Sequence, residues 1–135
     1  AEMGILVMGT LHTNGAAATV DRIVNGFPAD KQAHVRTMLS TSLRGVISQQ
    51  LIPRADRRGR VAALEILINT PAVSNLIRQG KLDQLENSMQ SGGQHGMRTM
   101  DSAIQELLDK GVITGRAAYE KGINKQRFEH LKGMG

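Results

Sequence analysis

Four consecutive apolar residues, Ile5-Leu6-Val7-Met8, run straight into a polar stretch, Gly9-Thr10-Leu11-His12-Thr13-Asn14. A short apolar run between glycines predicts a strand buried on both faces, as in a parallel sheet. Ligands of such sheets sit beyond the carboxyl ends of the strands, where Thr10, His12, Thr13 and Asn14 fall. The same turn also has a simpler use, with Thr13 or Asn14 as N-cap of the helix that follows. The pattern leaves both open.

Beyond the turn, Val20, Ile23 and Val24 predict a short helix over Gly15–Asn25, stopped by Gly26. Phe27-Pro28 makes a turn, and a longer helix starts near Ala29, with Asp30 in its first turn and Val35, Met38, Leu39 and Leu43 at helical spacing. Around Gly45 the pattern turns ambiguous, since Val46, Ile47, Leu51 and Ile52 suit helix or strand. Pro53–Arg60 is a charged turn carrying Arg54, Arg57, Arg58 and Arg60, and Val61–Ile68 reads as a buried strand interrupted only by Glu65. The two together predict a β-hairpin with a basic tip. Thr70-Pro71 starts a helix with Val73, Leu76 and Ile77 on one face and Gly80 at its end. Leu82, Leu85 and Met89 mark another short helix, and Ser91–Gly96 reads as a flexible loop. Thr99 caps a helix carrying Ile104, Leu107 and Leu108 that ends at Gly111, and Thr114 opens one more with Ala117, Ala118 and Tyr119. The tail from Asn124 to Gly135 is expected to fray.

The predicted picture is an α/β first half and an all-helical second half. Three strands are few for an α/β sheet. Either partner chains complete it or the chain is a piece of a longer protein, and the second is expected. Composition narrows the class. At 135 residues, 40% hydrophobic and 21% charged, the chain has the makeup of one globular domain, and with 2% aromatics its core must be aliphatic and methionine-rich. The absence of cysteine excludes disulfides, a thiolate zinc site and a cysteine nucleophile. No apolar run is long enough to span a membrane and no signal peptide opens the chain, so a cytosolic location is expected.

The net charge of +5 admits a polyanionic partner. The four hairpin arginines have no interleaved aromatics, so a solvated loop is the simpler reading beside phosphate contact, and no nucleic acid is expected. His12, His34, His95 and His130 show no metal-ligand spacing, so no metal site is expected. No phosphate-loop, nucleophile-elbow or dinucleotide fingerprint occurs. Only His12 combines a predicted strand end with neighbouring hydroxyls.

At this point the stretch AEMGILVMGTLHTNGAAATVDRIVNGFP resembles the histidine box of the secretion and pilus motor ATPases. The likeness continues through VRTMLSTSLRGVISQQLIPR, GRVAALEILINTPAVSNLIRQGK and GMRTMDSAIQELLDKG, over residues 1 to about 115. Assembly and secretion branches usually carry a cysteine-containing metal motif after LIP. Its absence from Pro53–Arg60 favours the type IV pilus retraction branch of twitching motility, with an assembly or secretion ATPase segment as the alternative.

The resemblance implies the C-terminal part of a RecA-like P-loop ATPase core over residues 1–69, including the histidine box, and an all-helical C-terminal subdomain over residues 70–135. It implies a homohexameric motor using ATP and Mg, cytoplasmic and peripheral to the inner membrane through the pilus machinery, without membrane insertion of its own. His12 matches the box histidine near the γ-phosphate, supported by Thr10, Thr13 and Asn14. The phosphate-binding loop and acidic boxes precede this region in the family, so tight nucleotide binding and activity are not expected of these residues alone. The retraction motif AIRNLIRE matches Ala72, Val73, Ser74, Asn75, Leu76, Ile77, Arg78 and Gln79, with Ser74 replacing an arginine and Gln79 an acid. Many relatives also have a second histidine where Ile5 stands, which puts a histidine pair in doubt. A reading from another class is a non-enzymatic module that docks the pilus machinery through that helix.

Overall fold

The computed structural model describes residues 1–134. Helix α1 spans Ala16–Asn25 and α2 spans Gln32–Ser42, reached through a 3-10 turn at Ala29–Lys31. Strands β1 (Gly45–Pro53) and β2 (Arg60–Ile68) follow, then α3 (Pro71–Gln79), α4 (Leu85–Ser91), α5 (Met100–Asp109), α6 (Gly115–Lys121) and the short α7 (Lys125–Phe128). The ambiguity around Gly45 is resolved as strand.

β1 and β2 pair antiparallel from Gly45 opposite Ile68 to Pro53 opposite Arg60, so the hairpin and its basic tip form as expected. Arg57 takes a left-handed φ of 61° and Gly59 one of 88° to reverse the chain. Alternation decides which side chains go inward. Ser48, Ile52, Ala63, Glu65 and Leu67 are buried, while Ile47 and Leu51 face outward. Residue Arg98 adds a one-residue bridge to β2, its N–H donating to the Ile66 carbonyl at 3.1 Å and its carbonyl accepting from Ile66 N–H at 2.9 Å.

Two apolar clusters lie under the hairpin. In the first, Leu67 meets Val20 and Val24 of α1, Val73 and Ile77 of α3 and Leu85 of α4. In the second, Ile52 and Ala63 meet Met100 and Ile104 of α5, Ala118 of α6 and Phe128 of α7. The predicted caps Thr70 and Thr99 hold, and Thr114 also caps the helix it was expected to open: they accept from Val73, Ser102 and Ala117 N–H respectively. Each hydroxyl satisfies one of the N–H groups that a helix start leaves unpaired, a contribution of about 1 kcal/mol per cap.

Three expectations are corrected. Ile5–Met8 is not a strand; Leu6 is 81% and Met8 88% exposed. A strand needs a neighbour to accept its backbone hydrogen bonds. Among the described residues the only sheet is the β1–β2 hairpin, and nothing from it pairs with this run. Ser91–Gly96 is an ordered turn, with Ser91 closing α4 and Gly93–His95 in a 3-10 turn. A side chain at Gly92 would stand 2.7 Å from Met97 Cε and 2.9 Å from the Ser88 carbonyl, so the glycine is what lets Met97 pack. The tail does not fray over 124–134. Phe128 is fully buried and Leu131 nearly so, while Gly135 lies outside the described residues.

Burial of the one core aromatic fixes the tail. Truncating a buried phenylalanine to alanine costs about 3–5 kcal/mol. Phe128→Ala should lower the unfolding free energy measured by urea titration by that much, whereas a frayed tail would leave it unmoved.

Candidate functional site

His12 lies in an irregular, exposed segment four residues before the start of α1. Thr10 and Asn14 are exposed beside it, and Thr13 is half-buried. The hydroxyls of Thr13 and Thr19 share a hydrogen bond of 2.6 Å, and Thr19 Oγ1 donates to the Gly15 carbonyl at 2.8 Å. No hydrogen bond joins His12 to Thr10, Thr13 or Asn14 among the described residues.

The expected cap of α1 is corrected. Neither Thr13 nor Asn14 caps the helix; Gly15 is the N-cap residue and offers no side chain. Its φ of 120° with ψ of 158° is a backbone region open essentially to glycine. That turn aims the Ala16 N–H away from its own loop and at Glu65, whose Oε1 accepts it at 2.8 Å. The other carboxylate oxygen, Oε2, accepts the Met100 N–H at 3.0 Å. One side chain on β2 therefore caps the first residues of α1 and α5 together. Glu65 is 8% exposed and stands opposite Ser48, between the two apolar clusters.

A glutamate on the inner face of an apolar hairpin carries a desolvation penalty of several kcal/mol. Hydrogen bonds to a charged group contribute about 1.5–3 kcal/mol each, and helix N-termini favour negative charge. Two such bonds and two helix starts offset the penalty. Sequence reasoning treated Glu65 only as an interruption in a strand. The signal was available, because a lone charge in an apolar run is almost never buried unpaired.

Asp101 repeats the device. It is 3% exposed, and its two oxygens accept from Ile123 N–H at 2.7 Å and Asn124 N–H at 3.0 Å. It thus ties the first turn of α5 to the link between α6 and α7. Sequence reasoning missed it as well.

The second group of candidates lies on α3. Val73 and Ile77 are buried, Leu76 and Ser74 are half-buried, and Ala72, Asn75, Arg78 and Gln79 are exposed. Ser74 Oγ donates to the Ser40 carbonyl at 2.7 Å, and Asn69 Nδ2 donates to the carbonyls of Ser40 and Leu43 at 2.9 and 2.7 Å. Ser74 thus ties α3 to the end of α2. Arg78 donates to Asn75 on the same face. Ala72 and Leu76 line a shallow groove of about 250 Å³ with Gln84, Asn87, Ser88 and Ser91. No hydrogen bond brings this helix to His12.

At the hairpin tip Arg54 pairs with Asp56 at 3.2 Å, which raises the guanidinium's pKa and holds the carboxyl below its ordinary range. Among the described residues no cluster of three or more His, Cys, Asp or Glu side chains is arranged for a metal, and no helix is long and apolar enough to cross a membrane.

A two-stranded hairpin laid over helices, following a histidine-bearing segment, is the arrangement found in the C-terminal part of a RecA-like motor ATPase, and the chain matches that part of the type IV pilus retraction ATPases in sequence and fold. The retraction ATPase PilT of Pseudomonas aeruginosa is 51% identical over 128 residues, covering 95% of this chain and 37% of that protein. A twitching motility protein of Neisseria gonorrhoeae is 52% identical over 126 residues, 93% of this chain and 34% of the relative. The crystal structure of the pilus retraction motor PilT with bound ADP superposes with a TM-score of 0.85 at 43% identity, over 97% of this chain and 36% of that one. The chain thus spans about a third of the length of these relatives. No protein-family model matches it.

One exposed ion pair network yields a pH signature. Lys110 Nζ donates to Glu106 at 2.8 Å and Arg98 donates to its other oxygen, so the carboxyl is held at about 2 rather than the ordinary 4.5, Lys110 contributing most. A carboxyl whose folded pKa is depressed stabilises the fold above its unfolded value and stops doing so as pH falls through the folded one. Glu106→Gln should therefore be slightly less stable than the parent at neutral pH, as expected for exposed pairs. Urea titrations should show the difference closing between about pH 4.5 and about pH 2; a difference independent of pH would refute the assignment.

Proposed function

We propose that this chain performs the C-terminal share of a hexameric pilus retraction motor, in which ATP hydrolysis with magnesium drives pilus disassembly at the cytoplasmic face of the inner membrane. The observation that carries the reading is the likeness of 97% of the chain to the retraction motor PilT. Residues 1–69 would complete a RecA-like core, and residues 70–135 would form the helical subdomain. These 135 residues contain no phosphate-binding loop, so the nucleotide and magnesium would be held mainly by the remainder of such a motor, and this chain would contribute His12.

An exposed imidazole at the end of the histidine box can orient the attacking water or register the γ-phosphate, in a reaction that depends on positioning and charge stabilisation rather than covalent chemistry. Thr10, Thr13 and Asn14 would act as its hydroxyl and amide neighbours. A chimera joining this chain to the N-terminal portion of the P. aeruginosa PilT tests the assignment. His12→Ala should lower ATP turnover by about tenfold or more while the ring still assembles. Unchanged turnover in an assembled ring would remove the role.

The groove along α3 favours a second reading, in which the helical half docks the pilus machinery independently of hydrolysis. Ala72 and Leu76 line the groove and Arg78 stands exposed on the same helix. Ala72→Glu with Arg78→Ala alters this surface without touching either core. In the chimera the pair should abolish twitching and leave ATP turnover within about twofold of the parent. Twitching at the parent level would dispose of the docking role.

A further inference from the structure

Among the described residues, no hydrogen bond joins the His12 segment directly to anything beyond α1; the nearest anchor is at the first residue of α1, where Ala16 N–H donates to Glu65. The other bonds of the turn, Thr13 with Thr19 and Thr19 with Gly15, stay within the segment and its own helix. Gly15, held at φ 120°, turns the chain into α1. The same carboxylate holds the start of α5 through Met100, and the next residue of α5, Asp101, holds Ile123 and Asn124. The one-residue Arg98 bridge to Ile66 holds the chain beside β2 two residues before Met100, whose N–H reaches Glu65.

We infer that Glu65 is the positioning residue of the His12 segment, setting where the imidazole stands by anchoring the first residue of α1 and referring it to the first residue of α5. The inference rests on the reading that gives His12 its place at the phosphate. A carboxylate suits the task because both of its oxygens accept, so it serves two N–H donors at once. Glutamine has nearly the same shape but one acceptor oxygen, and its amide would face the second N–H as donor against donor. Glu65→Gln therefore releases one helix start without opening a cavity. The shift passes to His12 through four residues of backbone, and displacements of that kind act on the chemical step more than on nucleotide affinity.

The test uses the chimeric motor with Glu65→Gln, His12→Ala and the double substitution. Glu65→Gln should lower kcat for ATP by about tenfold and change KM by less than about twofold. In the His12→Ala background the same substitution should lower kcat by less than about twofold, since residues acting as a unit are non-additive. A purely structural role would reduce both backgrounds alike, and that result overturns the proposal. So does a Glu65→Gln motor of full activity beside an inactive His12→Ala motor. A fully active His12→Ala motor removes the underlying reading instead, and the proposal with it. Should Glu65→Gln fail to assemble, Glu65→Asp replaces it, keeping the charge and shortening the reach by one methylene. Amide exchange on the 135-residue chain supplies a readout free of catalysis. Glu65→Gln should speed exchange at Ala16 or Met100 by about tenfold relative to amides of α3, and unaltered exchange at both overturns the proposal.

Discussion

The Glu65 carboxylate stands between two apolar clusters and accepts the first N–H of a helix from each of them. The starts of α1 and α5 are both referred to that one side chain. β2 carries it on its inward face because strand alternation puts Ala63, Glu65 and Leu67 on one side. Ala63 and Leu67 fill the clusters to either side, so a charge is tolerated only where two helix starts converge on it. An unpaired charge there would outweigh the packing around it. The hairpin is thus a ruler along which α1 and α5 are set by one residue.

The same logic recurs one step along the chain. Asp101 uses both oxygens on the backbone of the α6–α7 link, where Phe128 and Leu131 then complete the second cluster. Buried carboxylates in this molecule serve backbone donors rather than basic side chains. The ion pairs, in contrast, lie at the surface, where Arg54 meets Asp56, Arg98 and Lys110 share Glu106, and Arg116 meets Glu120. Surface pairs of this kind are weak individually, so the architecture depends on the two buried carboxylates and the aliphatic clusters. The absence of basic partners has a physical benefit: a backbone N–H brings no charge of its own that must also be desolvated.

The candidate site was legible unevenly. His12 stood out because it follows an apolar run with hydroxyls around it, although the strand expected before it is not there. Its hydrogen bonding was not legible, since the competition between Thr13, Asn14 and a distant glutamate for the start of α1 cannot be judged from local spacing. The threonine caps Thr70 and Thr99 were read correctly because each lies within its own helix start, and a cap of that type is a local event. The cap of α1 is instead supplied from 49 residues away. Ser74 shows the same division: the position was flagged as a departure from an arginine, but only the fold reveals that its hydroxyl reaches the Ser40 carbonyl.

By itself the sequence determined helices α1 to α6, the basic tip and the second strand of the hairpin, because periods of 3.6 and 2 with Gly, Pro and Thr at the boundaries are local properties of a chain. It also determined the likeness to the retraction ATPases, since that rests on residue order alone. Tertiary structure alone decided that Ile5–Met8, apolar enough for a strand, has no strand here, because a ladder needs a partner to receive its hydrogen bonds. It decided that the tail folds, because Phe128 is buried in the apolar cluster to which α5, α6 and the hairpin contribute. And it decided the role of Glu65, because a buried charge has meaning only once the donors that face it are known, and those donors come from two helices that the chain order keeps apart.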